Sequence, residues 1–172
     1  MTRAAAVALA AVLLAACSGG KPPATPTTTT TPARDAASLG FGEVAFRIRP
    51  ADRGTAAQFC ALLADTPRQR AQGLMGRRDL AGYDAMVFRF PADTTGEFYM
   101  RDVPVPLSIA WFAADGRFVT ATDMAPCADR EGCPTYGAGA PYRLAVEVLQ
   151  GGLARLGAGP GSVLTVGGGC KT

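Results

Sequence analysis

The residues best suited to chemistry gather in one stretch, with two outliers. Tyr99, Arg101 and Asp102 fall at the break in EFYMRDVPVPLSIAWF, Glu97 to Phe112, where Pro104 and Pro106 separate two apolar runs; Arg77 lies upstream and Glu147 downstream. Two arginines can hold a carboxylate or phosphate through forked hydrogen bonds. Asp102 and Glu147 form the carboxylate pair that a hydrolase would need, because paired carboxylates cut glycosidic bonds at set separations. The plainer alternative is an ion-pair network in which Arg77, Arg101, Asp102 and Glu147 tie a helix to a sheet. The residue types favour a packed corner first, a binding surface second and an active site third.

The chain has no histidine. That removes the commonest general base and the commonest metal ligand, and it excludes Ser–His and Cys–His catalysis within this chain. No G-x-S-x-G, H-E-x-x-H or phosphate-loop pattern steers a reaction class. Met75, Met86 and Met100 sit in apolar surroundings and read as core filler; Cu(I) would suit thioethers, but neither histidine nor a free thiol assists them. Asp123, Asp129 and Glu131 lack the regular spacing of a calcium loop. No metal and no cofactor is expected.

These residues need elements to position them. Phe41 to Ile48 alternates, with Val44, Phe46 and Ile48 on one face, and reads as a half-buried strand. A second strand runs to about Ala64. Thr66-Pro67-Arg68-Gln69 then forms a capping box with proline at the first helical position, predicting a short helix through Leu74. Ala85–Phe90 and Glu97–Met100 read as strands around a turn at Pro91–Gly96. Leu107–Ala113 and Arg117–Thr122 flank an Asp115-Gly116 hairpin signal. Tyr142–Leu149 is a further strand, Leu153–Leu156 a brief helix and Ser162–Val166 the closing strand. The expected class is α+β: a mostly antiparallel, curled or barrel-like sheet with one or two short helices.

The first forty residues read differently. Arg3 precedes an apolar run from Ala4 to Leu14, too short to span a bilayer but suited to a secretory signal. Leu14-Ala15-Ala16-Cys17 then resembles a bacterial lipobox, which implies cleavage after residue 16 and lipidation of Cys17. Lys21 to Ser38 is rich in proline and threonine and has no apolar period, so residues 17–39 read as a lipidated cysteine and a disordered tether. The expected organisation is residues 1–16 signal peptide, 17–39 tether and 40–172 one domain.

Beyond Cys17, four cysteines remain: Cys60, Cys127, Cys133 and Cys170. In an exported domain they suggest disulfides, with three possible pairings. Cys127 with Cys133 and Cys60 with Cys170 is preferred, because the first pair shares one short Gly-containing loop. From Gly40 onward there are 14 Lys and Arg against 13 Asp and Glu, not the lopsided basic charge of a nucleic-acid binder. The Arg68, Arg70, Arg77 and Arg78 cluster reads first as a solvated face.

Four phrases stand in a fixed order: ADTPRQRAQGLMGR, AMVFRFP, FYMRDVPVPLSIAWFAADGRFV and YRLAVEVLQGGLARLGAGPGS. Together they resemble the domain of unknown function 192 family, from about Gly40 to Val166. Phe98, Met100, Pro106 and Leu107 match the family's habitual corner. Tyr99 stands in for tryptophan, Arg101 for lysine, Asp102 for asparagine, Val103 for threonine and Ser108 for aspartate. Ser162 likewise replaces an aspartate after Gly161. Two habitual carboxylates are therefore absent, and any chemistry they carried in relatives is absent with them. The resemblance implies the fold; no activity is established for the family.

The combined expectation is a membrane-anchored extracytoplasmic lipoprotein of the bacterial cell envelope, acting as a binding or accessory module. Its candidate surface is Arg77, Tyr99, Arg101, Asp102 and Glu147. It would meet the membrane through its lipid and an unknown ligand or protein in the envelope, but no nucleic acid. The alternative is an envelope hydrolase using Asp102 and Glu147.

Overall fold

The computed structural model describes residue 1 and residues 34–52, 54–128 and 132–170. The expected signal peptide beyond Met1, Cys17, most of the expected tether, Asp129 and Glu131 lie outside the described residues. Among the described residues, no helix is long and apolar enough to cross a membrane.

Among the described residues, nine strands and two short helices follow in order: β1 Gly42–Arg49, β2 Gln58–Ala64, α1 Pro67–Gln72, β3 Ala85–Thr94, β4 Phe98–Tyr99, β5 Leu107–Phe112, β6 Phe118–Met124, β7 Thr135–Tyr136, β8 Tyr142–Leu149, α2 Leu153–Leu156 and β9 Val163–Val166. Seven strands make one sheet, ordered β6-β5-β8-β3-β2-β1-β9, and β4 pairs with β7 in a small ribbon. All neighbours in the sheet are antiparallel except β2 and β3. That parallel pair is possible because α1 provides the crossover between them. The fold is the α+β class with a curled, half-barrel sheet.

Both faces of this sheet are apolar. Phe46, Ile48, Val87, Phe112, Val146 and Leu164 pack on one side, where Leu156 of α2 covers them. Leu62, Met86, Phe88, Ile109 and Trp111 pack on the other, beneath Leu74, Met100 and Val103. The methionines at 86 and 100 are fully buried filler, 0% and 1% exposed.

The curl brings the two sheet edges together at one end. Arg117, just before β6, bridges Val163 of β9, and Leu164 donates its N–H to the Gly116 carbonyl at 2.8 Å. Gly116 has φ +81°, and a Cβ there would overlap the Leu164 carbonyl oxygen. The hairpin glycine is therefore required twice, by its own turn and by the strand it touches.

Three details differ from the sequence expectations. β3 continues through Pro91 to Thr94 and pairs again with Tyr142 after a register shift. Proline lacks the N–H for a regular ladder, so the strand bulges where a turn was expected. The strand read over Glu97–Met100 is present as β4, but its partner β7 was missed because a two-residue strand leaves no period to read. The packed chain also starts ahead of Gly40: Ala36 is buried, and the Arg34 guanidinium lies 5.7 Å from the centre of the Tyr83 ring.

Cys60 is bonded to Cys170 and Cys127 to Cys133, with Cα separations of 5.4 and 5.9 Å. The first ties the C-terminal end to central strand β2. The second braces the corner, because Arg101 and Val103 both bridge Cys127, while Phe98 and Tyr99 pair with Tyr136 and Thr135 just beyond Cys133.

Gly116→Ala should lower stability by about 2–4 kcal/mol in chemical unfolding, combining left-handed strain with a clash against β9. Gly139→Ala, at φ +70° with open space around it, should cost only about 1 kcal/mol. Equal losses would contradict edge closure through Gly116.

Candidate functional site

The site residues named from the sequence divide between two places. α1 starts as its capping box dictates: Gln69 donates its N–H to the Thr66 hydroxyl at 3.2 Å, and the Thr66 N–H reaches the Gln69 side chain at 3.0 Å. The helix is then fastened to β3. Arg70 donates to the carbonyls of Asp65 at 2.7 Å and Arg89 at 2.9 Å, and its guanidinium stacks 4.9 Å from the Phe90 ring centre. Arg89 grips Asp65 by a fork, and this bond from Arg89 holds the Asp65 carboxyl below the usual range. Arg70 is thus an anchor, not part of a solvated face.

Arg77 is also tied down. It donates to the Leu39 carbonyl at 3.2 Å and lies 5.7 Å from the Phe41 ring centre, while its buried Nε has no hydrogen-bond partner among the described residues. It borders a second pocket, of about 410 Å³, with Thr66, Arg68 and Gln69, distinct from the cavity that holds Glu147.

Asp102 is exposed and adopts φ +54°. Its carbonyl accepts the Gly76 N–H at 2.7 Å, which ties the corner to the loop after α1. Asparagine, aspartate and glycine tolerate this left-handed conformation best. The backbone alone therefore accounts for aspartate here. Arg101 is exposed beside it.

Tyr99 and Glu147 do share a cavity, of about 290 Å³, between α1, β3 and the corner. This is at the small end of ligand-sized pockets. Phe88, Phe90, Phe98 and Tyr142 supply most of its aromatic wall, and Gln72 and Glu97 stand among its polar residues. Phe98 meets Phe88 edge-on at 5.0 Å, and Phe90 meets Tyr142 edge-on at 5.4 Å. The Tyr142 hydroxyl donates to the Gly96 carbonyl at 2.7 Å, fixing the loop that borders the cavity. Tyr99 is 44% exposed, a large ring turned partly to solvent.

Glu147 is the unusual member. It lies on β8 between Met86 of β3 and Ile109 of β5 and is only 5% exposed. Among the described residues its carboxyl has no hydrogen bond or ion pair. Burial alone pushes it up to about 8, so it carries a proton at neutral pH. The expected carboxylate pair is divided: Glu147 lines the cavity, whereas Asp102 does not.

Sequence reading reached Tyr99 and Glu147 but passed over the wall. Phe88 and Phe90 project from one face of β3 at strand spacing, a signal open to the cavity reading but equally to a core. A second polar cluster was also missed. Ser108 donates to Asp123 on the paired strand β6, and Gln150 reaches the other Asp123 oxygen at 3.0 Å. These two bonds, the one from Ser108 foremost, lower the Asp123 carboxyl.

A family model described as DUF192, an uncharacterised family, matches residues 48–166. A crystal structure of a candidate transcription regulator from Sinorhizobium meliloti 1021 is similar, with 28% identity and TM-score 0.63 over 73% of this chain and 95% of the other. A protein of unknown function from Novosphingobium aromaticivorans shares the fold at 23% identity and TM-score 0.62, over 86% of this chain and 94% of that one. No curated protein matches.

Glu147→Gln isolates the buried carboxyl. A pKa raised from 4.5 to about 8 means that the native state holds a proton the unfolded chain releases. Native stability from this group is full below pH 4.5 and is lost as pH rises towards 8. The variant should match wild type near pH 4 and exceed it by a few kcal/mol at pH 9, read from urea midpoints. Parallel pH profiles would contradict a buried protonated carboxyl. At the corner, Asp102→Asn should stay within about 0.5 kcal/mol of wild type, whereas Asp102→Ala should lose about 1 kcal/mol; equal losses would mean the side-chain charge matters.

Proposed function

The chain belongs to the DUF192 family, and we propose that it is an extracytoplasmic, membrane-anchored binding module of the cell envelope whose ligand site is the cavity over Glu147. One observation carries the binding reading: an aromatic-walled cavity with a buried, unpartnered carboxyl at its lining. Burying such a group costs stability with no structural return in the empty protein. A ligand that completes its hydrogen bonding gives that cost a purpose. Such a cavity, mostly apolar with few polar groups, is the usual form of a small-molecule site.

The two disulfides support residence outside the cytoplasm, where such bonds form and persist. The leader ending at Cys17 supports lipid attachment, which needs more than one acyl chain for firm anchoring. The Pro- and Thr-rich stretch then serves as a spacer between membrane and domain.

In a bacterial host, labelled palmitate should enter the full-length chain, and Cys17→Ser should abolish incorporation. Equal labelling of both would remove the anchor. Binding is tested by thermal shift on the chain across small amines, alcohols, sugars and carboxylates. Saturation at about a hundred times Kd stabilises by about 2.7 kcal/mol. Ala71→Trp, at an exposed helix position bordering the cavity, should abolish any shift. A shift that survives in this variant would place the ligand elsewhere.

A further inference from the structure

We propose that the ligand is a small organic cation, an ammonium group on an apolar body, held between the aromatic rings of the cavity and Glu147. The inference rests on reading this cavity as the binding site and adds the chemical class.

The charges of the cavity choose between classes. Its cationic residue, Arg70, is already committed: the guanidinium donates to two backbone carbonyls and lies over Phe90. The carboxyls of Glu97, exposed, and Glu147, buried, are the other ionisable groups of opposite sign in its lining. An anionic ligand would therefore meet the Glu97 carboxylate, a Glu147 carboxyl that stays neutral and supplies no counter-charge, and no uncommitted cation. Aromatic faces attract cations through their quadrupoles, more strongly where water is excluded. Arg70 over Phe90 shows one ring of this wall already used that way. Phe88, Phe98, Tyr99 and Tyr142 remain for a ligand.

The buried carboxyl is the second, independent feature. A neutral ligand can at most accept or share the Glu147 proton. A cation gains a full counter-charge in a desolvated site, once that proton leaves to solvent. Binding near neutral pH then releases up to one proton. For a ligand of fixed charge, affinity should rise about tenfold per pH unit below the Glu147 midpoint and level off above it. The other titratable groups facing the cavity are Arg70 from α1, Glu97 and Tyr99 from the corner, and Tyr142 from β8, which burial holds at about 12. β3 and β5 present Met86 and Ile109 beside Glu147.

The test is isothermal titration calorimetry of the full-length chain in detergent with benzyltrimethylammonium, whose charge does not titrate. Benzyl alcohol and benzoate are the comparators. The ammonium should bind at least about tenfold tighter than the alcohol, benzoate should not compete, and proton release should appear as a buffer-dependent heat. Glu147→Gln should lose about tenfold or more in affinity together with the pH dependence. Tyr99→Leu, at a partly exposed position, should weaken the ammonium more than the alcohol. If alcohol and ammonium bind equally, or benzoate binds best, and Ala71→Trp blocks them, the cation inference falls while the binding site stands. If the ammonium gives no heat into the millimolar range, the cation inference is overturned. If none of the three probes binds, the cavity loses its standing as the site as well.

Discussion

A sheet that is apolar on both faces must be covered twice, and the structure follows from that requirement. Curling brings one face round on itself and α2, with the edges meeting where Gly116 touches Leu164. The other face has to be covered by chain with little regular structure: the segment from Ala36 to Phe41, the loop after α1, and the corner from Phe98 to Val103. Such a cover is held by specific fastenings and the two-residue β4–β7 pairing, not by long ladders. Arg70, Arg77, the Tyr142 hydroxyl and the Cys127–Cys133 ring each fix one piece to a backbone group or a neighbouring segment.

The cavity sits within this cover. Between α1, β3 and the corner, the aromatic side chains stand edge to face and do not fill the space over β8. Glu147 occupies a position in the middle of the sheet where every adjoining strand residue is apolar. A carboxyl placed there is neutral at ordinary pH, and the protein carries its desolvation cost continuously. Among the described residues, Arg77 Nε and Trp111 Nε1 are also buried without a hydrogen-bond partner; of these groups Glu147 is the one that lines the aromatic-walled cavity, and it marks a place where fold and function pull apart.

Much of this was legible in the sequence where a residue's local role is unambiguous. The capping box at Thr66, the proline after it, the Asp115-Gly116 hairpin and the bounds of β8 and α2 all rest on short-range rules, and all are seen. What failed depended on distant partners. Pro91 reads as a turn until Tyr142 is known to re-pair with Thr94. Arg70 and Arg77 read as solvated until the carbonyls of Arg89 and Leu39 come within reach. Glu147 was named from the sequence as half of a carboxylate pair and as a candidate surface residue, but its lack of a partner, which gives it meaning, is a property of the folded molecule. Asp102 shows the reverse case: it read as chemistry, and its left-handed backbone gives it a purely conformational reason to be there.

The central claim is that Glu147 is a buried, protonated acid lining the cavity. It is tested most directly by following the side-chain carboxyl carbon of Glu147 by NMR as pH is raised. The account predicts a single transition with its midpoint near 8, about 8 being the value that burial imposes. A midpoint near the ordinary 4.5 would mean that the carboxyl is solvated or paired, and the cavity would lose the feature that singles it out.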